Sequence, residues 1–340
     1  MRSSKARPVQ LDGEVHFMIK IHFTYRHVDT PWGGANNFIR ALRQDLQKNS
    51  EFTLIDSSDK PCDVVFMNQL STGPAGNGKI LSINQLRQFR DQGRKLVVRA
   101  VNLNLHAFCL GPRNLIQGWW NDRKSITLLN LADVAIFQSE YQLEFFKRAG
   151  YSGIKSLVIH NGAPPEFWIP RPVIAPQTGP LRLISSTASP RKTKCHDIIA
   201  RISECDGVEI LHMGAWPEGL PTRKVRLLGM LPRERMIEAM ATAHFFLHTA
   251  IKDPCPNAIF EAVCAGLPVI YNPGPGSSRE IVNLCGLPLD ENDLQNTINQ
   301  ARWHINDLHS TVLANRSRFT IETASARYRQ VFENCVRFGS

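Results

Sequence analysis

Residues 253–282, DPCPNAIFEAVCAGLPVIYNPGPGSSREIV, carry the strongest indication of the fold class. Proline is tolerated where a helix begins, so Pro256 and the apolar run behind it predict a helix at 256–265. Gly266 stops that helix, and Pro268 opens the short apolar strand PVIY. A helix followed at once by a short apolar strand is one repeat of a parallel α/β sheet.

The same alternation recurs on both sides of a segment with six prolines, PPEFWIPRPVIAPQTGP at 164–180. Proline excludes a regular helix or central strand there, so this segment is predicted to be a linker. We expect two Rossmann-like, doubly wound domains, at 18–163 and 181–318, that face each other across a cleft. Residues 319–340 predict a C-terminal helix that can return to the first domain. The predicted strands are 17–23, 63–67, 95–101, 133–137, 155–159, 181–186, 208–213, 225–228, 244–248 and 268–271. The predicted helices lie near 35–48, 82–93, 113–131, 139–149, 196–205, 232–242 and 256–265, with more over 291–337.

Composition restricts the class of protein. The 340 residues are 43% hydrophobic and 21% charged, which excludes wholesale disorder and a fibrous repeat. No stretch approaches about 18 consecutive apolar residues, so no membrane-spanning helix is predicted. Residues 1–17 are basic without an apolar core, which predicts a disordered tail or an early start codon rather than a secretory signal. The eight cysteines form no CxxC pair, which favours reduced thiols in the cytoplasm over disulfides or zinc.

The positive charge is concentrated in the first half of the chain. The formal net charge is +10, and residues 1–172 hold 22 Lys and Arg against 14 Asp and Glu. Such a surplus suits nucleic acid, an anionic membrane surface or a phosphorylated substrate, and charge alone leaves these open. Arg87, Arg90 and Arg94 share one predicted helical face, which we interpret as a solvated face, with anionic lipid headgroups as the alternative.

Candidate chemistry lies around two acidic residues. Asp253 closes a strand-to-loop segment, and Glu261 follows eight positions later on the predicted helix. The free N–H groups at a helix start favour a phosphate, and a carboxylate accepts hydrogen bonds from hydroxyls. Gly33 and Gly34 follow the first strand, where paired glycines let backbone N–H groups approach an anion. The pattern is neither GxGxxG nor a Walker loop, which disfavours NAD and ATP.

These motifs together resemble the family 4 glycosyltransferases of the GT-B fold. The acid–x7–Glu spacing, the following EAVCAGLPVI and the later Glu280 carry the resemblance. Four further segments match in the family's order: PWGGANNF at 31–38, ADVAIFQSEY at 132–141, VIHNGAPPEFW at 158–168 and LLGMLPRERMIEAMATAHFFLHTA at 227–250.

The resemblance implies a donor site for a nucleotide-diphosphate sugar in the second domain. It places Asp253 near the transferred sugar and Glu261 on the ribose hydroxyls. Arg191 and Lys194 would hold the diphosphate. Ser189 stands where the family has its arginine, and Lys192 is the alternative to Arg191 as its substitute. The resemblance also implies backbone contacts to the donor. Met230 and Leu231 would contact the base, and Asn257, Ala258 and Ile259 would contact the diphosphate or the sugar. Gly33 and Gly34 would lie over the diphosphate and the reacting centre.

Besides Ser189, two features depart from the family's pattern. The first acid is Asp253 rather than Glu, which shortens its reach by one methylene. After Arg99, Val101 and Asn102 replace an Asp-Gly of some relatives, so an acceptor-side carboxylate is missing. His106 is the candidate to serve instead as an acceptor or sugar contact, and we place it with Asp253 and Gly34 among the candidate catalytic positions.

The resemblance implies sugar transfer to a hydroxyl with retention of the anomeric configuration, without metal or cofactor. The acceptor would be a glycan or lipid-linked sugar, as in polysaccharide biosynthesis, with peripheral contact between the basic first domain and the inner membrane face. Closure about the linker would exclude water. The alternatives are a GT-B sugar-nucleotide epimerase and a non-catalytic protein that binds a nucleotide sugar or nucleic acid; the dispersed positive charges disfavour nucleic acid.

Two further features have ordinary interpretations. His248 ends the HFFLH run and is predicted to be a satisfied strand-end histidine. Trp119 and Trp120 are predicted to pack in the core, with stacking on an acceptor sugar as the alternative.

Overall fold

The chain divides into two compact units. One comprises the residues up to His160 together with the segment from Ala324 onward, and the other is Asn161–Thr323. The computed structural model describes residues 8–11, 14–28, 34–57, 59–71, 81–107, 112–153, 155–170 and 179–338. Among these residues, no helix combines the length and apolar character needed to span a bilayer.

The first unit contains a short antiparallel strand pair and a parallel sheet. The pair joins β1 (Pro8–Leu11) to β2 (Glu14–Phe17), with Val9 opposite His16. The expected disordered tail therefore differs from the structure at these residues, whose backbones pair as antiparallel strands. The sheet strands are β3 (Ile19–Phe23), β4 (Phe52–Ile55), β5 (Val64–Asn68), β6 (Lys95–Arg99), β7 (Val134–Phe137) and β8 (Ser156–Val158).

Helices cover this sheet, whose strand order is β4-β3-β5-β6-β7-β8. The helices are α1 (Gly34–Gln47), α2 (Ile83–Asp91), α3 (Asn104–Ala107), α4 (Pro112–Leu131) and α5 (Glu140–Arg148). Buried residues of α2, α4 and α5, among them Leu86, Leu128 and Phe146, pack with Val65 and Val98 of the sheet. Continuous apolar strands are typical of a parallel sheet that is covered on both faces.

The second unit contains another parallel sheet. Its strands are β9 (Leu181–Thr187), β10 (Val208–Gly214), β11 (Val225–Gly229), β12 (Phe245–His248), β13 (Val269–Tyr271) and β14 (Gly286–Pro288), in the order β11-β10-β9-β12-β13-β14. Its helices are α6 (His196–Ile202), α7 (Arg233–Ala241), α8 (Asn257–Cys264), α9 (Ser278–Val282), α10 (Leu294–Trp303) and α11 (Ile305–Asn315). The predicted succession of two parallel α/β sheets is confirmed.

The last helix, α12 (Ile321–Arg337), belongs to the first unit from Ala324 onward. Its Tyr328 and Phe332 are fully buried, with ring centroids 5.8 and 5.7 Å from that of Phe66 on β5. Arg329 Nη1 and Ser325 Oγ both donate to Asp45 Oδ2 on α1. These contacts fasten the C-terminal helix to the first sheet.

Further parts of the chain differ from their sequence-based assignment. The short helices α3 and α9 were not predicted. Strands β4 and β14 were missed, because each is a short edge strand and β14 contains a proline. In the predicted linker, Pro165–Phe167 forms one turn of 3-10 helix, and residues 171–178 lie outside the described residues.

Candidate functional site

Two oppositely charged side chains meet beyond neighbouring strands of the second sheet. Lys194 follows β9 and Asp253 follows β12, and these strands are adjacent and parallel. Lys194 Nζ donates a hydrogen bond of 2.8 Å to Asp253 Oδ2. The side chains are 24% and 18% exposed, so a ligand can reach both. The pair marks the carboxyl edge of the sheet, where α/β proteins bind ligands.

Backbone contacts hold this pair in place. Thr249 Oγ1 donates to the Lys194 carbonyl at 2.8 Å, and Ser277 Oγ donates to the Asp253 carbonyl at 3.0 Å. The Cys255 N–H donates to Asp253 Oδ1 at 3.2 Å. Burial acts to raise the pKa of Asp253, but Lys194, a nearby histidine and this N–H together lower it. Asp253 is therefore ionised at neutral pH.

A buried histidine lies near the same charges. His248 ends β12, is 6% exposed, and its Nε2 has no hydrogen-bond partner among the described residues. Burial lowers the pKa of His248 to about 4, although Asp253 acts to raise it. The prediction of a satisfied histidine is therefore wrong for Nε2, because β12 places the ring in the interior and no described residue offers that atom a donor or acceptor. A bound ligand or ordered water is the usual partner of such an atom.

Glu261 lies in the second turn of α8 and is 9% exposed. No described residue donates a hydrogen bond to its carboxylate. Burial raises the pKa of Glu261 to about 7, so the group is partly protonated at neutral pH. Hydroxyl groups of a ligand stabilise a buried carboxylate of this kind, because their hydrogen bonds replace the hydrogen bonds to water that burial removed.

Three of the predicted backbone contacts to the donor lie at the start of α8. The Ile259 N–H already donates to the Pro256 carbonyl at 3.0 Å, and the Ile259 side chain is fully buried. Asn257 Oδ1 accepts from Asn161 Nδ2 at 2.7 Å. Ala258 is half-buried. A ligand that binds the Ile259 N–H must therefore displace an existing hydrogen bond. A ligand that binds beside Ala258 does not have to displace this bond.

The remaining predicted donor positions are more open. Arg191 is exposed and precedes the turn that contains Lys194. Met230 is 51% exposed and Leu231 is half-buried, directly after β11. Because β11 runs parallel to β10 and β9, these residues lie at the same sheet edge as Lys194. Their contacts to a ligand stay predictions.

The first unit holds the remaining predicted positions. Gly34 is the exposed first residue of α1, and Gly33 lies outside the described residues. His106 Nε2 lies 2.7 Å from the Tyr141 hydroxyl, and its ring stacks on Phe145 with centroids 3.9 Å apart. These contacts orient the imidazole, and its catalytic role stays a prediction.

A buried amide network beside β6 was missed by sequence reasoning. Arg99 is 1% exposed and donates to Asn68 Oδ1 at 2.7 Å and to Gln138 Oε1 at 2.6 Å. Gln138 Nε2 also donates to the Ala100 carbonyl at 2.7 Å. The signal in the sequence was the polar residue at or just after each buried strand, since Asn68 ends β5 and Gln138 follows β7. The network holds the loop that leads to His106.

The three arginines of the predicted basic face border a shallow cavity of about 400 Å³. Arg90 forms an ion pair with Asp133 at 3.6 Å, and Arg94 lies over the Phe89 ring at 4.7 Å. The cavity is lined by Arg87, Arg90, Asp91, Gly93, Arg94, Lys95 and Asp133. Since Lys95 begins β6, this cavity lies at the amino edge of the sheet, away from His106.

No protein-family model matches the chain, and no curated protein sequence matches it significantly. Solved structures do match. HepE of Anabaena, in complex with UDP, superimposes with a TM-score of 0.67 at 16% identity, covering 93% of this chain and 100% of HepE. Sucrose-phosphate synthase of Thermosynechococcus elongatus gives 0.66 at 13% identity, covering 93% and 98%. WaaG, a glycosyltransferase involved in lipopolysaccharide biosynthesis, gives 0.57 at 14% identity, covering 90% and 98%.

These similarities concern the fold. The matches span nearly the whole chain on both sides. The GT-B fold class expected from the sequence is confirmed.

Proposed function

We propose that this chain is a GT-B glycosyltransferase that transfers a sugar from a nucleotide-diphosphate sugar to a hydroxyl acceptor. One observation carries the proposal: Glu261, a buried carboxylate to which no described residue donates a hydrogen bond, lies on the helix that follows the Lys194–Asp253 pair. Ribose hydroxyls are the donors such a carboxylate needs, and a diphosphate is the natural partner of the lysine. Solved structures of the similar HepE contain UDP and UDP-glucose, which supports this ligand class.

Binding of the donor exchanges one ion pair for another. Lys194 leaves Asp253 for the diphosphate, and Arg191 adds a second cation. The N–H groups at the start of α8 add their partial positive charge. Together these groups stabilise the negative charge that grows on the departing diphosphate as the sugar bond breaks. No cluster of three or more potential metal ligands occurs among the described residues, and the proposed mechanism uses none.

Asp253 and His248 act on the sugar in this mechanism. Once Lys194 has moved to the diphosphate, the Asp253 carboxylate is left to accept a hydrogen bond from a sugar hydroxyl. The buried Nε2 of His248 supplies a further hydrogen bond at the same strand end. Fixing the sugar by such contacts favours the geometry of an oxocarbenium-like transition state.

We assign acceptor contacts to the first unit, with His106 as the candidate residue. Retention of the anomeric configuration, a glycan or lipid-linked acceptor and a cytoplasmic location at the inner membrane face complete the proposal. They follow from the resemblance to family 4 glycosyltransferases and from the positive charge of the first half of the chain.

The test is a thermal-shift panel of UDP-, GDP-, ADP- and TDP-sugars on the wild type, Glu261→Ala and the exposed-site control Glu238→Ala. A donor at a hundredfold excess over its Kd stabilises the folded state by about 2.7 kcal/mol. We expect a shift with one base in the wild type and the control, and none in Glu261→Ala. No shift with any donor overturns the proposal. Once the donor is known, NMR of the product's anomeric proton decides between retention and inversion.

A further inference from the structure

The helix α4 is buried along only half of its length. Toward its C-terminus, Leu128 and Leu129 are 1% and 0% exposed and belong to the core of the first unit. Its first half shows the opposite pattern, since four large apolar residues face solvent there. Ile116 is 71%, Trp120 55%, Leu115 45% and Trp119 43% exposed.

These four residues form one patch, which we call the α4 patch, extended by Leu105 of the neighbouring α3 at 44% exposure. The two indole rings contact each other edge to face, with centroids 5.0 Å apart. The sequence-based prediction that Trp119 and Trp120 pack in the core is therefore wrong, because α4 extends beyond the core that its second half covers. Clustered exposed apolar side chains mark an interaction site on a soluble protein.

Positive charge borders the patch. Arg123 lies over the Trp119 ring at 4.9 Å, and Arg123 and Lys124 are both exposed. Asp122, the only acid in α4, is 6% exposed and accepts hydrogen bonds from the backbone of Asn104 and Leu105. The negative charge of Asp122 is therefore stabilised by backbone N–H groups inside the fold and is not presented on the surface of the patch. The surface presents aliphatic and indole groups next to two cations.

We propose that the α4 patch inserts into the interfacial region of an anionic lipid bilayer. Indole rings prefer the membrane interface, where their apolar body and polar N–H are both accommodated, and adjacent cations attract anionic headgroups. A sugar-stacking site does not explain Leu115 and Ile116, since aliphatic side chains offer no flat face for a pyranose ring. The core half of α4 holds the patch as a preformed helix, so binding pays no cost of helix formation.

The consequence of membrane binding for the choice of acceptor rests on the proposed function. A transferase held at a bilayer acts on an acceptor that is carried by a lipid. The patch begins α4, which follows the carboxyl end of β6 and the loop with His106. The basic cavity around Arg87 and Arg94 lies at the opposite edge of the same sheet. A bilayer against the α4 patch thus meets the edge that carries the candidate acceptor residue.

The experiment measures co-flotation of the full chain with vesicles of phosphatidylcholine, with and without phosphatidylglycerol. The variants are the double substitution Ile116→Ser with Trp120→Ser, the charge variant Arg123→Gln with Lys124→Gln, and the control Trp303→Ser. Trp303 is 83% exposed in the second unit and outside the patch. We expect the Ser variant to lose roughly tenfold in partitioning to both kinds of vesicle, the Gln variant to lose binding mainly to anionic vesicles, and the control to bind like the wild type.

Tryptophan quenching by lipids with brominated acyl chains gives a second readout. We expect quenching in the wild type and in Trp303→Phe, and its loss when Trp119 and Trp120 are both replaced by Phe. Vesicle binding that survives the Ser variant, or that Trp303→Ser also abolishes, overturns the inference. Self-association in the absence of lipid that the Ser variant abolishes assigns the patch to a second copy and overturns it as well.

The donor panel separates this inference from the proposed function. A patch variant that loses vesicle binding while its nucleotide-sugar thermal shift is unchanged supports the inference. Vesicle binding without any donor shift contradicts the proposed function alone. A wild type that shifts with a donor but never floats with vesicles contradicts the inference alone.

Discussion

Lys194 Nζ and Asp253 Oδ2 lie 2.8 Å apart although 59 positions separate the two residues along the chain. Adjacent parallel strands, β9 and β12, bring their loops together. The proposed diphosphate ligand competes with Asp253 for the same ammonium group. In the unliganded protein, Lys194 is therefore paired with Asp253, and it becomes available to the diphosphate when this ion pair breaks.

The Lys194–Asp253 ion pair predicts that substitution of Lys194 costs more stability than substitution in an exposed ion pair. Lys194→Ala leaves a partly buried carboxylate unpaired and should lower the free energy of unfolding by about 1–2 kcal/mol. It should also weaken nucleotide-sugar binding by roughly tenfold, since a charge-assisted hydrogen bond to the diphosphate is lost. Urea denaturation and calorimetric titration measure the two effects. The exposed pair Arg235–Glu238 is the control, and Arg235→Ala should cost less than about 0.5 kcal/mol. Equal losses in both variants would contradict the prediction.

Glu261 predicts a pH-dependent stability. Its pKa is about 7 in the folded chain against 4.5 when unperturbed, so the folded state holds the proton more tightly. The contribution of the protonated form is complete below about pH 4.5 and disappears as the pH rises through about 7. Glu261→Gln should remove this loss. Between pH 4.5 and pH 8, the free energy of unfolding of the wild type should therefore fall by roughly 3 kcal/mol more than that of Glu261→Gln. Chemical denaturation at both pH values tests this.

The same carboxylate predicts a pH-dependent affinity for the donor. Hydroxyl groups donate to the ionised form, so donor binding should strengthen as the pH rises through 7 in the wild type. Glu261→Gln should bind weakly and without this dependence. A pH profile that is identical in both proteins would place the titrating group elsewhere.

His212 predicts acid sensitivity of the second unit. Burial lowers its pKa to about 4, while Ser185 Oγ lies 2.8 Å from Nδ1 and the Ala215 carbonyl 3.2 Å from Nε2. A lowered pKa means that stability present above pH 6.5 is lost as the pH falls toward 4. His212→Gln should reduce the fall in Tm over this interval, and the exposed His304→Gln should leave it unchanged.

Gly214 predicts a steric requirement at the end of β10. Its φ is +107°, and a Cβ there would lie 1.8 Å from the Thr187 carbonyl oxygen on β9. Gly214→Ala should therefore lower the free energy of unfolding by more than about 2 kcal/mol. Gly219 has a φ of +76° with open space around a Cβ, so Gly219→Ala should cost only about 1 kcal/mol. Similar costs measured by urea denaturation would mean that backbone conformation, not the contact with β9, dominates at Gly214.

Local signals predicted the elements that stand between clear stop residues. Gly266 ends α8 with a φ of +83°, and β13 begins directly after Pro268, as the sequence indicated. The edge strand β4 had no such signals and was missed. Conformational preferences of glycine and proline act within a few residues, whereas an edge strand is stabilised by a partner that is distant in sequence.

The repeated α/β order, the helix–strand unit around α8 and the residue types of the candidate donor site could be predicted from the amino-acid sequence, because these depend on short-range periodicity and spacing. Which side chains have partners became visible in the folded chain alone. The fold paired Lys194 with Asp253, left His248 Nε2 and the Glu261 carboxylate without a hydrogen bond from the described residues, and exposed Trp119 and Trp120. Burial and hydrogen bonding are set by neighbours from distant parts of the chain, and no local pattern specifies them.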